Sequence, residues 1–140
     1  MRLGFFTMPI HPLDKDWRVC LKQDREAFIL ADELGFSEAY CGEHITDQSE
    51  NITSCAIFIA SLIDATKTIK LGTGTINMPN SHPAAIASQI AMLDHMLDGR
   101  FILLCGSKGT AWYKAACSVG ASREALRGAC TTSTSRSSLP

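Results

Sequence analysis

Four short apolar runs begin near residues 3, 36, 69 and 101, so consecutive starts lie 33, 33 and 32 residues apart. That period accommodates one strand, one covering helix and two loops. Strands repeated this way run parallel, joined by right-handed crossovers. Two architectures meet the requirement: an open doubly wound sheet and a closed (β/α)8 barrel. Eight such units come to roughly 260 residues, the usual size of the barrel. The 140 residues of this chain hold about half of it.

The residues between the starts agree with alternation. Leu3 to Met8 is too short for a helix and ends at Pro9. Trp17, Leu21, Phe28, Ala31 and Leu34 recur at helical intervals, with Lys22, Asp24, Arg25 and Asp32 assigned to the other face and Gly35 at the stop. A second strand is expected over 36–41 and a second helix over 54–66, capped by Thr53 or Asn51. A third strand is expected over 69–75. Pro83 then opens a helix carrying Ile86, Ile90, Leu93 and Leu97 and ending at Gly99, before a fourth strand starting at Arg100.

Composition divides the chain at one point. Residues 1–103 carry 13 acidic and 8 basic side chains, whereas 104–140 carry one acid, Glu124, and five bases. The second segment also holds 11 Ser/Thr and three Cys, with too few large apolar groups to cover a fourth strand. The expected division is therefore a partial barrel over 1–103 and an irregular tail over 104–140, with short helical turns at 111–116 or 123–127. Residues 106–110 resemble a phosphate loop only superficially, since the required spacing between glycines is missing. A reading-frame shift near residue 104 accounts for the charge change and the lost periodicity together; a purposeful short variant is the alternative.

A net charge of −1 argues against a nucleic-acid-coating protein. No stretch approaches the roughly 20 apolar residues that span a bilayer. Residues 1–13 are broken by Pro9 and Pro12 and lack a cleavage signal, so a cytoplasmic chain is expected. The six cysteines are isolated from one another, without CxxC spacing, and read as core filler rather than as disulfides or metal ligands.

Chemistry in parallel α/β folds gathers where strands run into the following helices. The second strand ends in Gly42-Glu43-His44 and the third in Gly72-Thr73-Gly74-Thr75. His44 exchanges protons near neutral pH, and Glu43 could orient it or contact a ligand; equally, both could anchor the loop. Gly72 and Gly74 allow close approach to a flat ligand, or mark a crowded barrel interior. His82, His95 and Asp94 read as structural, and His11 is open to pocket or solvent.

Four stretches in register, MRLGFFTMP, LADELGFSEAYCGEH, IKLGTGTINMPNSHP and AMLDHMLDGRF, resemble the bacterial luciferase-like flavin-dependent monooxygenases, most of all the limonene-monooxygenase-like group. The resemblance covers about residues 1–103 and implies the N-terminal half of a (β/α)8 TIM barrel. It further implies reduced FMN at the barrel mouth, O2 as co-substrate, and transfer of one oxygen atom to a small organic substrate such as a terpene or aldehyde. His44 becomes the candidate catalytic residue. Phe6, Glu43, Gly74 and Thr75 become cofactor-binding candidates, with a non-proline cis peptide between Gly74 and Thr75. A second histidine common after the first is replaced by Ile45, and phosphate-binding groups are implied from the fourth strand onward. A flavin reductase is the implied partner, and uncovered strand edges point to self-association. The alternatives are a non-catalytic half-barrel fragment and a deazaflavin-dependent oxidoreductase of the same superfamily.

Overall fold

The computed structural model describes residues 1–45, 47–78 and 81–106. In chain order these form β1 (Gly4–Thr7), α1 (Trp17–Glu33), β2 (Glu38–Cys41), α2 (Cys55–Ala60), β3 (Lys70–Thr73), α3 (Pro83–Met96) and β4 (Phe101–Ile102). The strands make one parallel sheet in the order β1-β2-β3-β4, so each new strand pairs with the one before it. Of the two architectures the period allows, this sequential order is that of the amino-terminal part of a (β/α)8 barrel, not of a doubly wound sheet.

Register sorts the side chains into rows. Phe5, Ala39, Leu71 and Phe101 align across the sheet, and Phe6, Tyr40, Gly72 and Ile102 form the next row. Because side chains alternate along a strand, the two rows face opposite sides. The first row joins the core shared with Phe28, Phe58, Ile59, Ile90 and Leu97. In the second row, a Cβ placed on Gly72 would lie 2.5 Å from Tyr40 Cδ1 and 3.2 Å from Ile102 Cβ. Gly72 therefore makes room for the Tyr40 ring, the crowded-interior reading, and is not available to a ligand. The Tyr40 hydroxyl donates to Glu38 Oε2 at 2.7 Å. Burial, together with that carboxylate, raises the phenol to about 12.

The first helix corrects its expected face. Asp16 caps it by accepting from the Arg18 amide at 2.8 Å, and Gly35 leaves it with φ +79°. The buried stripe is Cys20, Asp24, Phe28 and Ala31, whereas Trp17, Leu21 and Leu34 are exposed. Asp24 can face inward because His11 Nε2 lies 3.0 Å from both carboxylate oxygens, which neither the pocket nor the solvent reading of His11 foresaw.

The second helix is shorter than the expected 54–66, and its cap is Ser54 rather than Thr53 or Asn51. The Ser61 hydroxyl donates to Phe58 O at 2.7 Å, and Leu62 and Ala65 donate to carbonyls three residues back. The helix thus tightens into turns where side-chain oxygens compete for its carbonyls. The third helix matches expectation, with Ile86, Ile90, Leu93 and Leu97 buried, His82 capping its start and Gly99 beyond its end at φ +76°. Asp94 is buried as well.

Two side chains tie the amino-terminal ends of the strands to the helices. Arg100 reaches Thr66 Oγ1 and Ile69 O, each at 3.1 Å. Asp32 accepts from the amides of Lys67, Thr68 and Ile69 and from the Thr68 hydroxyl. Burial pushes its carboxyl up, but these donors outweigh burial and hold it at about 2. The folded value lies below the unfolded one of about 3.9, so the contribution is complete above pH 4 and lost as pH falls through 2. Allowing for solvent screening, it amounts to about 1–2 kcal/mol. Asp32→Asn should therefore lower the urea midpoint at pH 7 clearly and at pH 2 hardly at all; equal losses at both would refute the carboxylate's role.

Pairing continues past Leu103. Cys105 bridges Ile76, and the Gly106 amide donates to Ile76 O at 3.1 Å, so ordered structure reaches into the segment assigned to the tail. The expected turns at 111–116 and 123–127 lie outside the described residues. Cys20, Cys41, Cys55 and Cys105 are free thiols. Burial, with the Glu43 charge second, raises Cys41 to about 12, which makes it an inert core group at neutral pH. Among the described residues no helix is long and apolar enough to cross a membrane.

Candidate active site at the strand ends

The carboxyl ends of β1, β2 and β3 lie side by side, since Thr7 pairs with Cys41 and Cys41 with Thr73. Backbone bonds carry this alignment into the loops: Gly42 N donates to Thr7 O at 3.2 Å and Gly74 N to Cys41 O at 2.6 Å. Glycines let the layers approach. A Cβ on Gly42 would meet Met8 Cγ at 2.6 Å, and one on Gly74 would meet Phe6 Cε2 at 2.9 Å. Phe6 thus packs on the backbone of Gly74, and the Gly74–Thr75 peptide is cis. A Cβ on Gly106 would lie 2.5 Å from Thr75 Oγ1, so the chain after β4 closes against Thr75.

This edge presents apolar surface to solvent. Phe6 is 58% exposed and Met8 43% exposed, high values for side chains of that size next to a core. His44 stands at the end of the neighbouring strand with its side chain 40% exposed. Phe6, Gly74 and Thr75, chosen from the sequence, are therefore brought together, with His44 on the adjacent strand end.

Glu43 has a different place. It is buried, with Oε2 accepting from the Cys55 amide at 3.0 Å and Oε1 from the Asn77 amide at 2.6 Å. Asn77 answers by donating from Nδ2 to Glu43 O at 2.8 Å. Both carboxylate oxygens are spent on joining the end of β2 to the start of α2 and the loop after β3. The anchoring reading of Glu43 is the one its geometry shows. Asn77 and Met8 were not singled out in the sequence, although both fall within three or four residues of a strand end, where such signals belong.

The imidazole of His44 is held from one side. Its Nδ1 pairs with Glu50 Oε2, and its backbone amide donates to Ile52 O at 3.0 Å. Nδ1 is itself buried and its contact is the Glu50 carboxylate; Nε2 is the ring's other nitrogen. Among the described residues no group of three or more His, Cys, Asp or Glu is placed to hold a metal ion.

A parallel βα array whose strands pair in chain order defines the class: part of a (β/α)8-barrel scaffold, a fold whose sites lie at the carboxyl ends of the strands. Comparison with known proteins sharpens it. Residues 1–125 match the family model for luciferase-like monooxygenases. The chain is 38% identical over 104 residues to 4-hydroxyprotoasukamycin monooxygenase of Streptomyces nodosus subsp. asukaensis, a match covering 74% of this chain and 28% of the relative. It is 37% identical over 103 residues to limonene 1,2-monooxygenase of Rhodococcus erythropolis, covering 74% of this chain and 27% of the relative. Among solved structures, the oxygenating constituent of 3,6-diketocamphane monooxygenase from Pseudomonas putida, in complex with FMN, superposes with a TM-score of 0.73 at 28% identity, covering 86% of this chain and 32% of that one.

The chain belongs to the luciferase-like monooxygenase family. It spans somewhat over a quarter of the length of these curated relatives.

Proposed function

We propose that this chain forms the isoalloxazine side of an FMN-dependent monooxygenase site, which transfers one oxygen atom from O2 to a small organic substrate. The observation that carries the reading is the exposed Phe6 ring packed on Gly74 at the strand ends, beside His44. A solved relative holds FMN, and the named relatives are monooxygenases.

The residues present fit the ring end of a flavin. Phe6 and Met8 offer apolar surface, the Phe6 ring lies where a Cβ on Gly74 would stand and so forms one face with the Gly74–Thr75 peptide, and Thr75 supplies a hydroxyl. When bound, the reduced flavin supplies the electrons that activate O2. The chain's own groups do the rest: Phe6, Met8, Gly74 and Thr75 bind and orient the ring, and His44 Nε2 holds or accepts a proton at the site. Glu43 maintains the spacing of the strand ends through Cys55 and Asn77. Phosphate contacts belong to residues from the fourth strand onward, and a flavin reductase is the proposed source of reduced flavin.

Titrating FMN with the 140-residue chain is expected to quench flavin fluorescence saturably, with Kd on the order of 10–100 µM for a site lacking its phosphate half. Unchanged fluorescence at high micromolar protein would instead favour the non-catalytic fragment. A fatty aldehyde, a terpene ketone and a terpene alkene are the substrate classes to compare in a longer chain.

A further inference from the structure

The loop between β2 and α2 contains an acidic side chain, Glu50, that the proposed flavin contacts do not use. Glu50 Oε2 pairs with His44 Nδ1, and the Glu50 side chain is 14% exposed against 40% for His44. A carboxylate so placed gives up much of its water, and the group that faces it is His44 Nδ1, a buried nitrogen with no other polar partner among the described residues.

Its position is built rather than incidental. On one side of Glu50, Ser49 O accepts from the His11 amide at 2.8 Å, and His11 is itself fixed by Asp24. On the other side, Ile52 O accepts from the His44 amide at 3.0 Å, which closes the loop directly onto the residue that Glu50 contacts. The nearby Asp47 turns Oδ1 to Ser49 N at 2.9 Å and Ser49 Oγ at 2.7 Å, and its charge acts on the ring without a direct pairing like that of Glu50. The backbone is thus pinned before and after Glu50, and one oxygen of Asp47 is occupied by Ser49.

We propose that Glu50 is a positioning residue that holds His44 in the tautomer with its proton on Nδ1 and leaves Nε2 as the unprotonated nitrogen at the site. An acceptor on one ring nitrogen selects the tautomer and fixes the ring plane, a device that serves metal-binding and proton-transferring histidines alike. Its consequence for catalysis rests on the proposed flavin site; the tautomer itself does not.

Ring nitrogen shifts of His44 in the 15N-labelled chain, at alkaline pH where the ring is neutral, test this directly. The expected spectrum has Nδ1 protonated and Nε2 bare, the reverse of the preference of a free histidine side chain. In Glu50→Gln the Nδ1-protonated population should fall about twofold or more, because an amide can meet either tautomer. Glu50→Asp should retain more of it. A wild-type ring protonated on Nε2 overturns the proposal and needs no variant, so a poorly folding Gln protein does not rescue it; an unchanged ring in well-folded Glu50→Gln overturns it equally. FMN titration of the same samples keeps the two ideas apart: loss of flavin binding with a fixed Nδ1 tautomer removes the flavin reading and leaves the Glu50–His44 pair standing.

Discussion

Glu43→Ala is expected to destabilise the described barrel units by about 3–5 kcal/mol, among the largest losses of any single substitution here. Truncation leaves the amides of Cys55 and Asn77 without the carboxylate oxygens they now share at 3.0 and 2.6 Å. Each buried donor left unpaired costs about 1–3 kcal/mol, and the cavity adds to that. Glu43→Gln should fall between, since its carbonyl can still serve one amide while its NH2 faces the other. Urea midpoints of the three proteins check the order. A Glu43→Ala protein as stable as wild type would return Glu43 to the solvent-facing role that a ligand contact requires.

The second large effect concerns turnover. In a chimera carrying residues 1–103 of this chain in place of the matching stretch of limonene 1,2-monooxygenase, His44→Ala is expected to lower kcat about 10²–10⁴-fold, the range for loss of a positioned proton carrier. FMN affinity should stay within a few-fold of the parent, because in the proposed site the apolar surface for the ring comes from the exposed Phe6 and Met8. Stopped-flow turnover and flavin titration on the same preparation separate the two quantities. Undiminished kcat would take His44 out of the chemistry.

The architecture was legible because spacing is a long-range property that no single residue can obscure. Starts near 3, 36, 69 and 101 required parallel crossovers, and the ladder from β1 to β4 follows them. Helix ends were legible where backbone conformation demanded it, as at Gly35 and Gly99 with their positive φ. Faces and lengths were harder. Asp24 looked like a surface charge until His11 reached it from 13 residues away, and the helix expected to reach Thr66 loosened where Ser61 turned its hydroxyl on Phe58 O. In the candidate site, Phe6 and Gly74 were chosen through family resemblance, whereas the anchoring role of Glu43 stood beside a ligand-contact reading and its partners were hidden, because Cys55 and Asn77 lie 12 and 34 residues downstream. Hydrogen-bond partners at that separation leave no periodic trace.

The order of the sheet bears on how such a protein is made. Among the described residues each strand after β1 pairs with its predecessor, so each finds one edge already made when it leaves the ribosome. Contacts of modest sequence separation form early and quickly. A ribosome extruding this polypeptide would release each strand with its docking edge already in place, so the barrel can grow by accretion during synthesis, one unit at a time, from the amino terminus.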